Sequence, residues 1–118
     1  MLEASSTNRY VRTSAQKAGL VLDLIRGKSA GEALSILRFT KKSVARDIEK
    51  TLRSAIAKAV LVSDRNKKRR LDEEALIVSA CHANQGPSFK RVRPAPMGRA
   101  YRVLKRTAHI TVRVAEKE

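Results

Sequence analysis

Seven side chains able to neutralise phosphate, Lys90, Arg91, Arg93, Arg99, Arg102, Lys105 and Arg106, fall within the 22 residues from 86 to 107, a stretch with no Asp or Glu. Cations at that density repel one another, and they would lose water without compensation if they folded onto their own domain. Their chemistry suits an outside partner that brings negative charge, and Phe89 and Tyr101 lie among them to stack on bases or to pack across a hairpin. A second set, Arg9, Arg12, Lys17, Arg26 and Lys28, shares residues 4–31 with one acid, Asp23. It reads either as a second footprint or as a solvated helix face. For "KKRR" at 67–70, beside "DEE" at 72–74, an ordinary charged loop is the better reading.

Catalytic and metal chemistry is poorly provided for. Cys81 and His82 are adjacent, so in a strand they point to opposite faces and cannot clasp one metal. His109 has no acid near it in sequence, since none occurs between Glu74 and Glu116. RNA contact or solvation therefore suits it better than acid–base work. There is no Gly-rich phosphate loop, no Ser-His-Asp layout and no paired-Cys motif. The expectation is a protein that is not an enzyme, with no metal and no cofactor.

The whole composition agrees. A formal net charge of +15 in 118 residues, with a pI near 11.0, concentrates polyanions, nucleic acid ahead of an anionic membrane. Residues 1–74 hold 17 basic and 9 acidic side chains, whereas residues 75–115 hold 8 basic and none acidic. The excess is thus unbuffered in the last third. One cysteine forms no internal disulfide, which is compatible with a reducing cytosol. The start "MLEASSTNRY" lacks a signal-peptide layout, and no run approaches the roughly 20 apolar residues of a membrane span. A soluble, unprocessed chain is expected.

The elements that must position these residues fall in two halves. "NRYVRT" at 8–13 is a β-leaning candidate edge strand. Thr13 with Gln16 has capping-box spacing, Leu20, Val21, Leu24 and Ile25 share a 3.6-period face, and Gly27 sits where a helix stops, predicting a helix over 14–26. Ser29 with Glu32 opens a shorter helix with Ala33, Leu34 and Leu37 on one face. Val44, Ile48, Leu52, Ile56, Ala59 and Val60 predict the main core helix from Ser43 to near Ser63, followed by a charged loop, "DRNKKRR", at 64–70.

The period then changes to 2. "HITVRV" alternates Ala108, Ile110, Val112 and Val114 against His109, Thr111 and Arg113, a half-buried strand whose partner is "ALIVSACHA". A hairpin turning around Pro96 sets Val78 opposite Val114 and Ala80 opposite Val112. Carried past Gly86 and Arg106, the same pairing gives a basic ribbon reaching roughly 35 Å, at about 3.4 Å per residue, with Pro94, Pro96 and Gly98 at its tip. The fold class expected is α+β: three helices packed on a small antiparallel sheet, with a long basic β-hairpin extension. Residues 1–85 together with 107–118 form the globular domain, and 86–106 the arm.

Several longer segments, "SAQKAGLVLDLIRGKS" at 14–29, "SAIAKA" at 54–59, "GPSFKR" at 86–91 and "GRAYRVLKRTAHITV" at 98–112, resemble, in order and spacing, the large-subunit ribosomal protein L twenty-two family in its bacterial form. The resemblance runs from about residue 8 to 114. It implies three helices against a three-stranded antiparallel sheet, seated on the large subunit of the cytoplasmic ribosome near the exit of the nascent-peptide tunnel. It implies a monomer there, with large-subunit (23S-type) ribosomal RNA, neighbouring ribosomal proteins and the nascent peptide as partners, and no membrane. By that likeness Lys90, Arg91, Arg93, Arg99 and Arg102 anchor the arm in RNA, and Pro94, Ala95, Pro96, Met97 and Gly98 line the tunnel. The alternative class is a DNA-bending architectural protein whose basic β-arm wedges into a minor groove.

Overall fold

The computed structural model describes residues 3–65, 76–94, 98 and 100–116, giving only the backbone at 62–65, 91, 93, 94 and 100–103. In chain order the elements are β1 (Glu3–Val11), α1 (Ala15–Ile25), α2 (Ala30–Phe39), α3 (Val44–Arg65), β2 (Leu76–Gln85), β3 (Phe89–Pro94), β4 (Ala100–Lys105) and β5 (Ala108–Glu116). β1, β5 and β2 form an antiparallel sheet in that order, and β3 and β4 pair as a separate two-stranded ladder. The three helices pack against the three-stranded sheet, as the α+β reading expects.

The core follows from the alternation of β5. Ala108, Ile110, Val112 and Val114 are all fully buried. Ile110, Val112 and Val114 join Leu76, Val78 and Cys81 of β2, Val21, Leu22 and Ile25 of α1, Leu37 of α2, and Ile48, Leu52 and Ile56 of α3 in one cluster. Each such side chain contributes about 1.5–3 kcal/mol by leaving water. Thr51, polar and buried within α3, keeps its hydroxyl satisfied by donating to the Asp47 carbonyl at 2.8 Å.

Several expectations are corrected. The cap of α1 is Ser14, whose Oγ accepts from the Lys17 amide at 3.3 Å, one residue beyond Thr13. Its core face is Ala18, Val21, Leu22 and Ile25, while Leu20 and Leu24 are 57% and 48% exposed. Both sets satisfy a helical period, and Ala18 is fully buried within the core. The Ser29 cap of α2 stands as expected, accepting from the Glu32 amide at 3.3 Å. α3 runs on to Arg65, so Asp64 and Arg65 belong to helix and not to a loop; residues 67–70 lie outside the described residues. β1 begins at Glu3, five residues before the expected Asn8, and is an edge strand.

The β2–β5 register holds at one end and slips at the other. Val78 faces Val114, but Cys81, not Ala80, faces Val112, because a bulge intervenes between Val78 and Ala80. The extra residue is Ser79, whose hydroxyl donates to the Arg113 carbonyl at 3.2 Å. A bulge reverses the parity of the strand after it. Leu76 and Val78 point inward before it, and Cys81 inward after it, with His82 exposed.

Candidate nucleic-acid interface

The passage from the three-stranded sheet into the β3–β4 ladder is pinned at one crossing. The Gly86 amide donates to the Thr107 carbonyl at 2.9 Å, and the Thr107 hydroxyl donates to the Pro87 carbonyl at 2.5 Å. Thr107 is only 1% exposed. A glycine is required at position 86, since a Cβ there would lie 2.7 Å from the Thr107 Oγ1 and 3.2 Å from the His109 Nε2.

Beyond the crossing the register is Phe89↔Lys105, Lys90↔Leu104, Arg91↔Val103, Val92↔Arg102, Arg93↔Tyr101 and Pro94↔Ala100. Each of the first five rungs pairs one cation with one uncharged residue. No two cations share a rung, which avoids the like-charge pairs that most destabilise a ladder. Gly98 takes φ +72°, the left-handed region glycine tolerates at a turn. Ala95, Pro96, Met97 and Arg99 lie outside the described residues, as do the side chains of Arg91, Arg93, Pro94 and Arg102. Lys90 is exposed.

The end of β4 lies beside the start of α1. Arg12, Lys17, Lys105 and Arg106 line one cleft of about 500 Å³, together with Ser14 and Leu20. The first turn of α1 carries no acid, and all four cations are exposed. A helix start carries partial positive charge from its unpaired amides and ordinarily recruits Asp or Glu. Here cations stand where acids would stabilise the helix, a cost offset when an anion occupies the cleft.

The N-terminal cations fall in two groups. Arg12 and Lys17 lie at the start of α1, whereas Arg26 and Lys28 follow its end, some 16 Å away at about 1.5 Å per residue. Arg26 is engaged within the protein: its guanidinium pairs with Asp23 and donates to the Cys81 carbonyl at 2.9 Å. Those contacts, led by the Asp23 hydrogen bond, raise its pKa above the ordinary value. Lys28 is exposed, and Arg9 is exposed on the bulge of β1 opposite His109.

His109 has a structural partner. Its Nδ1 accepts from the Tyr10 amide at 3.2 Å, and the two rings meet edge to face with centroids 5.0 Å apart. Tyr10 holds φ +59°, rare for a residue with a side chain, within the bulge between Asn8 and Val11. The Cys81 thiol donates to the Leu22 carbonyl at 3.4 Å, and burial pushes its pKa up. Among the described residues no cluster of His, Cys, Asp and Glu could hold a metal ion, and no helix is long and apolar enough to cross a membrane.

The sequence shows each cleft cation but not their grouping, because Arg12 and Arg106 are 94 positions apart and come together through the β1–β5 pairing. Nor does it single out Thr107, a polar residue whose burial no local pattern announces.

Comparison with known proteins matches the family described as "Ribosomal protein L22p/L17e" to residues 6–115. A protein of Solibacter usitatus named "Large ribosomal subunit protein uL22" is 50% identical over 117 residues, covering 99% of each chain. One of the same name from Fusobacterium nucleatum is 52% identical over 117 residues, 99% of this chain and 100% of the relative. A third, from Desulfitobacterium hafniense, is 45% identical over 118 residues, 100% of this chain and 98% of the relative.

Proposed function

The chain belongs to the ribosomal protein L22p/L17e family, structural and non-enzymatic constituents of the large ribosomal subunit, and from that premise we propose that it binds large-subunit ribosomal RNA through two connected surfaces. The cleft at the start of α1 takes phosphates on Arg12, Lys17, Lys105 and Arg106. Residues 86–106 act as an arm distinct from the body of residues 1–85 and 107–118, and cross RNA segments with Lys90, Arg91, Arg93, Arg99 and Arg102. The observation that carries this reading is the cleft itself, four exposed cations around an acid-free helix start. The separate β3–β4 ladder and a long axis of 68 Å against 25 and 16 Å support the arm.

Pro94, Ala95, Pro96, Met97 and Gly98 line the nascent-peptide tunnel, and the protein serves as a single copy in the subunit. Its mechanism is scaffolding: cations replace the counterions of several RNA segments and hold them together. His109, occupied by Tyr10, contributes by shaping the base of the arm, and Arg26 by tying α1 to β2. A DNA-bending role, the other reading of a basic β-arm, gains no support from a ribosomal family.

Footprinting of large-subunit ribosomal RNA with the intact chain tests the proposal. Protections are expected in several segments distant in sequence, and deleting residues 89–102 should remove the interior ones while sparing those made by the cleft. Absence of any protection at low ionic strength would overturn it. A photo-crosslinker replacing Met97 in reconstituted subunits should capture a nascent chain, and a clean failure to do so would remove the tunnel assignment.

A further inference from the structure

The corner between α2 and α3 carries a second basic surface. Arg38, Lys41, Lys42 and Arg46 are exposed and line a recess of about 850 Å³. Of its two acids, Glu49 is held by Arg53 at 2.7 Å, which leaves Asp47 against four cations. None of the four makes an ion pair or hydrogen bond with a described residue. Phe39, next to Arg38 and two residues before Lys41 in the chain, is 83% exposed in a chain with only two phenylalanines.

The backbone at Phe39 is fixed. It is the last residue of α2, and the next residue closes the helix: the Thr40 hydroxyl donates to the Ile36 carbonyl at 2.6 Å and its amide to the Leu37 carbonyl at 3.3 Å. The flanking apolar residues Leu37 and Val44 are buried in the core. The ring is therefore a lone exposed flat surface beside the recess, flanked in the chain by Arg38, Lys41 and Lys42. A protein partner calls for a contiguous apolar centre. A lone aromatic with interleaved cations instead matches a base to stack on and phosphates to neutralise.

We propose that this corner is an additional RNA contact, in which an unpaired base stacks on Phe39 while the flanking phosphates sit on Lys41, Lys42 and Arg46. It rests on the RNA-binding reading above and adds to it a surface that shares no lining residue with the α1–β4 cleft. The segment it takes is single-stranded or looped, because a base inside a helix cannot present its face to a side chain.

The chain has no tryptophan, so Phe39→Trp introduces a single indole at the corner. Titrating this variant of the full chain with a transcript of large-subunit ribosomal RNA should quench its fluorescence as the base stacks. Phe39→Ala should weaken binding of the same transcript about tenfold. The triple variant Lys41→Ala, Lys42→Ala and Arg46→Ala should lower the log–log salt slope by about 2. Circular dichroism should stay that of the wild type, as these side chains are exposed.

If wild type binds while Phe39→Ala binds equally well and the indole stays silent, the corner is overturned and the RNA-binding reading stands. An indole silent to the transcript but blue-shifted by ribosomal proteins would give the surface to a protein and equally overturn the proposal. If wild type itself does not bind the transcript, the broader reading fails and this inference fails with it.

Discussion

The Gly86 amide hydrogen-bonds the Thr107 carbonyl at 2.9 Å, while a methyl group on Gly86 would stand 2.7 Å from the hydroxyl oxygen of the same threonine. Hydrogen bond and steric limit fix the same crossing. Gly86→Ala must push a buried, hydrogen-bonded side chain aside, and overpacking of this kind costs about 1–3 kcal/mol. Chemical denaturation should report that loss as a lower midpoint with an unchanged slope. Thr107→Val, which keeps the shape but leaves the Pro87 carbonyl without its donor, should cost about 1 kcal/mol.

The three leucines of α1, buried Leu22 and the exposed Leu20 and Leu24, separate the face that packs from the face that does not. Leu22→Ala empties a fully buried site, and a loss of about 2–5 kcal/mol is expected. Leu24→Gln, at a half-exposed site, should stay within about 0.5 kcal/mol of wild type. Thermal melts of both variants check the assignment, and equal losses would contradict it.

The cations also divide by environment. Replacing Arg12, Lys17, Lys105 and Arg106 together by Ala should lower the log–log salt slope of RNA binding by about 3, at about 0.7 per phosphate contact, with little change in stability. Arg26→Ala should do the reverse, leaving the slope nearly unchanged while loosening the join between α1 and β2. Filter binding across a salt series, paired with melts, distinguishes them.

Burial raises the Cys81 pKa above its ordinary 9.0. The folded state therefore binds the thiol proton more tightly than the unfolded chain. The resulting stability is fully present below about pH 9 and is lost as pH rises through the folded value. The difference in stability between wild type and Cys81→Ala should thus be constant through neutral pH and shrink above 9. Thiol reagents should label Cys81 at neutral pH only as fast as the protein opens.

The parts legible in the sequence were those with one physical solution. The alternation of Ala108, Ile110, Val112 and Val114 admits one buried face, and the structure buries it. Ser29 followed by Glu32 marks one helix start, and it is there. The start of α1 misled because "AGLVLDLI" is apolar on more than one face, and the fold buries the set with Ala18 and Leu22, leaving Leu20 and Leu24 outside. The bulge at Ser79 was invisible because it is set by pairing with Arg113, and it turned Cys81 inward. The cations were identifiable from density of charge, whereas their assembly into a cleft needed the fold.

The strand order has a consequence for synthesis. β5, which follows both in the chain, sits between β1 and β2, which have no ladder with each other. Neither outer strand can close onto the sheet until residues 108–116 have left the ribosome that is making them, so the basic ribbon emerges ahead of its own foundation. A nascent chain in that condition presents charge before shape, and ties of such long sequence separation form slowly.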